Sequence, residues 1–126
     1  MRIAANIAGG LLGFIFVALS IMILLHLGPK QEPPPGTPAA SFMEAFVPTG
    51  WLTVVKICEL VGGILVAIPK TRNLGLLVLG PIVINILCFH VLVMQGAGLM
   101  GPPLVVAVLA AFLLFAERKS FAALIH

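Results

Sequence analysis

Lys56 and Glu59 stand one helical turn apart inside an apolar run, Trp51-Leu-Thr-Val-Val-Lys56-Ile-Cys-Glu59-Leu-Val-Gly62-Gly63-Ile-Leu-Val-Ala-Ile68. The run is long and oily enough to cross a bilayer, where ionisable side chains are costly and rare and by default mark a functional site. Two chemistries fit the pair. At this spacing the side chains are neighbours on a helix surface, so they can neutralise each other and orient adjoining helices. Alternatively they bind a ligand or relay protons, because an ammonium donates, a carboxylate accepts and a carboxyl group carries a proton.

Three more polar residues fall at comparable depth. Counting inward from Trp51 at helical rise, Lys56 is roughly 7–8 Å down and Glu59 roughly 12 Å. Counting back from Gln95, His90 is roughly 7–8 Å down and Asn85 roughly 15 Å. His26 closes the first apolar segment. Each has a structural reading beside the functional one. Asn85 can bond across helices or to a carbonyl freed by Pro81. His90 lies about 140° round a regular helix from Asn85, so the two share a face only where the helix distorts. His26 sits near an interface, where histidine is cheap, and the terminal His126 is assigned no role. Cys58 and Cys88 fall at similar depth. They read either as a facing redox pair or as small buried hydrophobes, and they form no C-x-x-C motif. Two isolated histidines, His26 and His90, are a weak basis for haem or metal binding, and no metal site is expected.

No phosphate-binding glycine loop, Ser-His-Asp set, catalytic carboxylate pair or metal-ligand cluster is present. A stand-alone enzyme is therefore not the favoured reading. Of 126 residues, 61% are hydrophobic and 9% charged, and the mean hydropathy is +1.23. A soluble domain is about a quarter charged, so this chain lacks the polar residues to cover a water-facing surface. Lipid is the expected solvent, and helices satisfy their own backbone groups there. The net charge of +3 comes from residues scattered at segment ends, where topology requires them, so nucleic acid is not an expected partner.

The elements that must position these residues are four apolar segments, at about 7–27, 52–68, 74–94 and 102–116. A span needs roughly 17–25 residues. The fourth segment is short unless it continues through Glu117-Arg118-Lys119 into 121–125. The first is too long for a signal-peptide core and has no close cleavage site, so it reads as a retained helix. Arg2, Lys70, Arg72, Arg118 and Lys119 flank one side and only Lys30 the other. That bias predicts cytoplasmic termini and outward-facing 28–50 and 96–101 loops. The polar group then falls in the outer half of the bilayer, with nothing of comparable cost in the inner half.

The first outer loop begins with a stiff proline-rich stretch, 29–38. Ser41-Phe-Met-Glu44 reads as a capping box opening a short interfacial helix through Phe46. Trp51 stands where interfacial tryptophans gather. Gly9 and Gly13 form a GxxxG spacing, with Gly62, Gly63, Gly75 and Gly80 in later segments as further packing positions. That spacing predicts association with a partner or a second copy. Pro81 predicts a kink, and Pro102-Pro103 suits a helix start. A deep start there would make the 96–101 loop dip inward, leaving an outward-opening recess beside the polar group.

Lys56-Ile-Cys-Glu59-Leu-Val-Gly62-Gly63-Ile-Leu, followed by Pro81-Ile-Val-Ile-Asn85-Ile-Leu-Cys-Phe-His90, resembles the DoxX family of small four-helix bacterial membrane proteins. The likeness covers nearly the whole chain and is strongest over 51–95. The proline-rich loop and the short helix after it are similar to one branch. The resemblance implies a four-helix bundle in the bacterial inner membrane and a link, in some members, to thiosulfate or quinone redox complexes, with no general activity. It maps the family's Lys-x-x-Glu, Asn and His positions onto Lys56, Glu59, Asn85 and His90. Related chains often carry Asn and Gly about one turn before the first-helix histidine, where this chain has Met22-Ile23.

The expectation is thus an all-α, four-helix transmembrane bundle, a single integral domain over 1–126, with a short interfacial helix in the first outer loop. It would be an accessory subunit of a larger membrane complex, respiratory or redox in kind, in the bacterial cytoplasmic membrane, with other membrane subunits or its own copies as partners. The competing reading is a redox-associated protein whose Lys56, Glu59, Asn85, His90 and His26 bind a quinone or relay protons. A quinone or a bound lipid is the expected ligand. A transporter is a weaker reading, since no inverted repeat is apparent.

Overall fold

The computed structural model describes residues 2–27, 33–96 and 100–123. The first part of the proline-rich stretch, the dip of the 96–101 loop with its recess, and His126 lie outside the described residues in whole or in part. Among the described residues the chain is all-helical, with no strand. The elements are α1 (Arg2–Leu24), α2 (Pro38–Phe46), α3 (Trp51–Ala67), α4 (Arg72–Cys88), α5 (Pro102–Ala116) and α6 (Arg118–Ala122). A 3₁₀ turn over Pro69–Thr71 leads into α4, and a π-helical turn over Phe89–Val93 extends it.

Four of these helices pack in a ring, α3 against α1 and α4, and α5 against α1 and α4. The reason is written in three- and four-residue spacings. Ala5, Ala8, Gly9, Leu12, Gly13, Phe16 and Ser20 form the buried stripe of α1, and Gly75, Leu76, Leu79 and Val83 that of α4. These spacings keep side chains on one face. The core joins Leu12, Phe16, Val66, Leu79, Val83, Val106, Ala110 and Leu113. Outside it, every helix of the ring exposes large apolar side chains, among them Phe14, Val61, Ile84 and Val108.

Glycines set how closely the helices approach. A Cβ on Gly13 would lie 2.5 Å from the Gly63 carbonyl oxygen and 2.7 Å from the Ala67 methyl. One on Gly75 would lie 2.5 Å from the Val66 amide nitrogen. The Gly9–Gly13 spacing is therefore occupied within the chain, and the expectation that it meets a separate partner is corrected. Gly80, read as a packing position, has open space around it.

α1 (23 residues) and the continuous helix Pro69–Val93 (25 residues) are each long and apolar enough to cross a membrane. α2 and α3 together would make a third crossing, but they meet at 84°. α5 has 15 residues, about 22 Å at helical rise against a hydrocarbon core of roughly 30 Å. It does not continue through Glu117, which breaks the helix before the five residues of α6.

One local expectation changes. α2 starts at Pro38, three residues before the expected cap, because Thr37 is extended and its hydroxyl accepts from the Ala40 amide at 3.3 Å. With proline at N1, this start satisfies an orphan amide earlier than Ser41 can. α4 runs unbroken through Pro81. Beyond it, the Met94 amide donates to the Phe89 carbonyl five residues back at 2.9 Å, as the π-helical turn requires.

Candidate functional site: a buried ion pair at one end and an arginine cluster at the other

Glu59 sits on the packed face of α3 with Gly62, Gly63 and Val66. The Lys56 Nζ lies 2.9 Å from Glu59 Oε2, and the side chains keep only 17% and 3% exposure. The i,i+3 pairing expected from sequence is thus formed and largely withdrawn from the surface. The ammonium approaches outside hydrogen-bonding alignment, so Glu59 Oε2 is a buried acceptor with charge compensation but no directed donor.

Ser20 falls at the level of this pair on the neighbouring helix, and sequence reasoning missed it. α1 and α3 run antiparallel, with Gly63 packed on Phe16. Four residues onward on α1 is Ser20, and four residues back on α3 is Glu59. Both are buried, Ser20 at 1% exposure and Glu59 at 3%, and the Ser20 Oγ also has no hydrogen-bond partner. The signal was available: Ser20 continues the small-residue stripe that begins at Ala5.

The other three candidates are held separately. Asn85 is exposed and donates to the Pro81 carbonyl of its own helix at 3.0 Å. His90 continues the buried face of α4 by helical spacing, is half-buried, and its Nδ1 lies 2.9 Å from the Ile86 carbonyl oxygen. It enters the π-helical turn, where the Gly96 amide reaches its carbonyl. His26 is exposed and left-handed, φ 55°. Its amide donates to Ile23 O and that of Leu27 to Met22 O, the paired bonds of a Schellman ending. His26 thus terminates α1, in a conformation histidine adopts more readily than most residues. The structure brings Lys56 and Glu59 together, with Ser20 four residues beyond the Phe16–Gly63 contact on the facing helix. It does not bring Asn85 or His26 into that group.

Aromatic rings gather near His90. Phe42 of α2 lies 4.8 Å from Phe89 and 4.3 Å from Phe46 between ring centroids. Phe46 reaches Trp51 at 5.9 Å, and Phe89 meets the His90 ring at 5.4 Å, edge to face. These contacts seat α2 across the ends of α3 and α4. Cys58 and Cys88 are both free and exposed. No three His, Cys, Asp or Glu residues converge as metal ligands among the described residues.

The opposite end corrects a second expectation. Arg72 is not a surface topology charge. It is the largest fully buried side chain, 1% exposed. Its Nε donates to the Val66 carbonyl at 3.3 Å and its Nη1 to Asn6 Oδ1 at 3.1 Å, while Nη2 has no partner. Thr71 Oγ1 donates to the Leu65 carbonyl at 2.7 Å. Two consecutive residues therefore satisfy the last carbonyls of α3, where the helix dipole favours a cation. Gly9 makes the room, since a Cβ there would lie 2.7 Å from Arg72 Nε. Arg2 pairs with the buried Glu117 at 2.8 Å, joining the first helix to the end of α5. This half of the molecule was read as free of costly polar groups, and it holds the most deeply buried charge.

Searches of protein-family models, of curated proteins and of solved structures for relatives of this chain found no match.

Proposed function

We propose that the chain is a small multi-pass membrane protein of DoxX-like type. It serves as an accessory subunit of a larger membrane complex in the bacterial cytoplasmic membrane, respiratory or redox in kind. The observation that carries this reading is the inside-out distribution of polarity. Charged side chains turn inward or to the helix ends, while large apolar side chains cover the outside of all four ring helices. Four crossings are supported by the ring packing, with α5 reaching the boundary through local thinning or a tilt of its neighbours. α2, set at 84° to α3, suits a helix lying along the outer interface. Arg2, Lys70, Arg118 and Lys119 at the opposite end suit the cytoplasmic side.

A second reading is favoured by one feature, the Glu59 Oε2 and Ser20 Oγ atoms, both buried without a hydrogen-bond partner. Such a pair suits a hydrogen-bonding ligand such as a quinone head group, or a proton relay. Purification from native membranes in a mild detergent tests both. A fixed set of co-purifying proteins supports the subunit. A stoichiometric bound quinone that is lost in Glu59→Gln supports the redox site. A chain that purifies alone, without ligand, defeats both.

A further inference from the structure

Two cavities share Ser120 at the end of the molecule that carries Arg2 and α6. The first, about 450 Å³, is lined by Arg2, Glu117, Arg118, Lys119 and Ser120. The second, about 270 Å³, is lined by Asn73, Leu74, Leu77, Ser120 and Phe121. Their chemistry differs. The first has three cations and one carboxylate, and that carboxylate is already engaged by Arg2 at 2.8 Å. Lys119 is exposed and forms no ion pair among the described residues. The second is mostly apolar, and from Asn73 to Leu77 it follows α4 away from the charged end. Two buried polar atoms nearby lack partners, Arg72 Nη2 and Asn73 Oδ1.

A single carboxylate among Arg2, Arg72, Arg118 and Lys119 leaves an excess of positive charge, and part of it is buried. We propose that this end binds a phosphate-bearing anion, with the phosphate in the basic cavity. The adjoining apolar cavity selects a phospholipid, whose acyl chain would run along Leu74 and Leu77, over free phosphate. Basic pockets between helices on the cytoplasmic side are suited to anionic head groups. Arg118 is partly held by the end of α5, donating to the Phe115 carbonyl at 2.8 Å and lying over the Phe115 ring at 4.3 Å. Lys119 is therefore the freer contributor. The inference rests on the membrane reading but not on the identity of any partner protein.

The test uses the full chain in neutral detergent, titrated with phosphatidylglycerol or phosphatidylcholine of the same acyl chains and read by native mass spectrometry. Phosphatidylglycerol is expected to bind more tightly. Arg118→Gln with Lys119→Gln should weaken it about thirty-fold, as two lost surface cations would. Both side chains are exposed, so the thermal midpoint should hold. Leu77→Trp, which fills the apolar cavity, should weaken the lipid and leave any binding of inorganic phosphate unchanged. Competition by inorganic phosphate that is lost in the double variant keeps the phosphate site and assigns its source to free anion. Equal binding of the two lipids, or a double variant with wild-type phosphatidylglycerol affinity, overturns the proposal while leaving the membrane protein itself in place.

Discussion

Ser20 on α1 and Glu59 on α3 each lie four residues beyond the Phe16–Gly63 contact of these antiparallel helices, both buried, with Ser20 Oγ and Glu59 Oε2 lacking a hydrogen-bond partner within the chain. Buried polar atoms are rarely left in that state. Their shared level on the α1–α3 contact predicts that the hydroxyl and the carboxylate act as one polar position. Ser20→Ala is predicted to leave stability unchanged or to raise it by up to about 1 kcal/mol, because it removes a buried hydroxyl that has no hydrogen-bond partner. The effect should couple to Glu59→Gln in a double-mutant cycle by at least about 0.5 kcal/mol. Reversible unfolding in mixed micelles measures it. Strict additivity would separate the two residues.

The glycines give a contrast within a single helix. Gly13 is pressed against the backbone of α3, whereas Gly10 has nothing within 4 Å. Gly13→Ala is predicted to destabilise the bundle by about 1–3 kcal/mol, as an overpacked contact. Gly10→Ala should stabilise it by about 0.5–1 kcal/mol through backbone entropy. Oligomer size should change in neither. A Gly13→Ala protein of native stability but altered oligomeric state would return this face to an intermolecular role.

What the sequence made legible follows from the physics of each signal. Long apolar runs and the lysine–glutamate spacing are local, and α1, α3, α4 and the 56–59 ion pair appear where those signals put them. Arg72 was misjudged because charge counting places residues by segment, and burial is decided by what packs over them. Here Gly9, Asn6 and the open carbonyls of α3 form a lined slot for a guanidinium. GxxxG likewise states that a backbone can be approached, without naming the approaching helix. His26 read as a candidate ligand because no sequence pattern reveals a left-handed turn at histidine. The early start of α2 turned on two competing caps, and the one beside proline prevailed.

Arg72 supplies a test of geometry over charge. Its planar fork donates from two different nitrogens to the Val66 carbonyl and Asn6 at once. Lysine keeps the charge but not that fork. Arg72→Lys is therefore predicted to lose most of what Arg72→Met loses, about 3–5 kcal/mol for a broken buried charge site. Thermal melts of the three proteins decide this, and a lysine variant near wild type would show that charge alone suffices.

Orientation can be read by labelling. In a Cys58→Ser, Cys88→Ser background, Pro35→Cys in the exposed stretch before α2 is expected to react with an impermeant thiol reagent in intact cells. Lys70→Cys, exposed between α3 and α4, should react only after the membrane is opened. The opposite pattern would invert the topology, placing the ion pair in the inner half of the bilayer and the basic cavity outside.

The ion pair itself separates packing from ligand chemistry. Lys56 and Glu59 share one face of α3 at 2.9 Å, with little exposure. Removing either charge leaves the other unmatched in a low-dielectric setting, which typically costs several kcal/mol unless the group neutralises. A structural pair predicts that Lys56→Met and Glu59→Gln each lower stability by about 3 kcal/mol, and that the double variant recovers most of it. A ligand or proton site predicts a Glu59→Gln protein that folds almost normally, loses bound quinone or the activity of its complex, and is not restored by adding Lys56→Met. His90→Phe separates the readings again. Under the structural reading its ring adds to the aromatic group around Phe89 and Phe42 and little is lost. Under the site reading it loses ligand as Glu59→Gln does. Stability and ligand content of the four variants, measured on one preparation, discriminate the two. Rescue by the double variant with ligand content unchanged throughout removes the site and leaves Lys56 and Glu59 as the polar fastening of a packed membrane subunit.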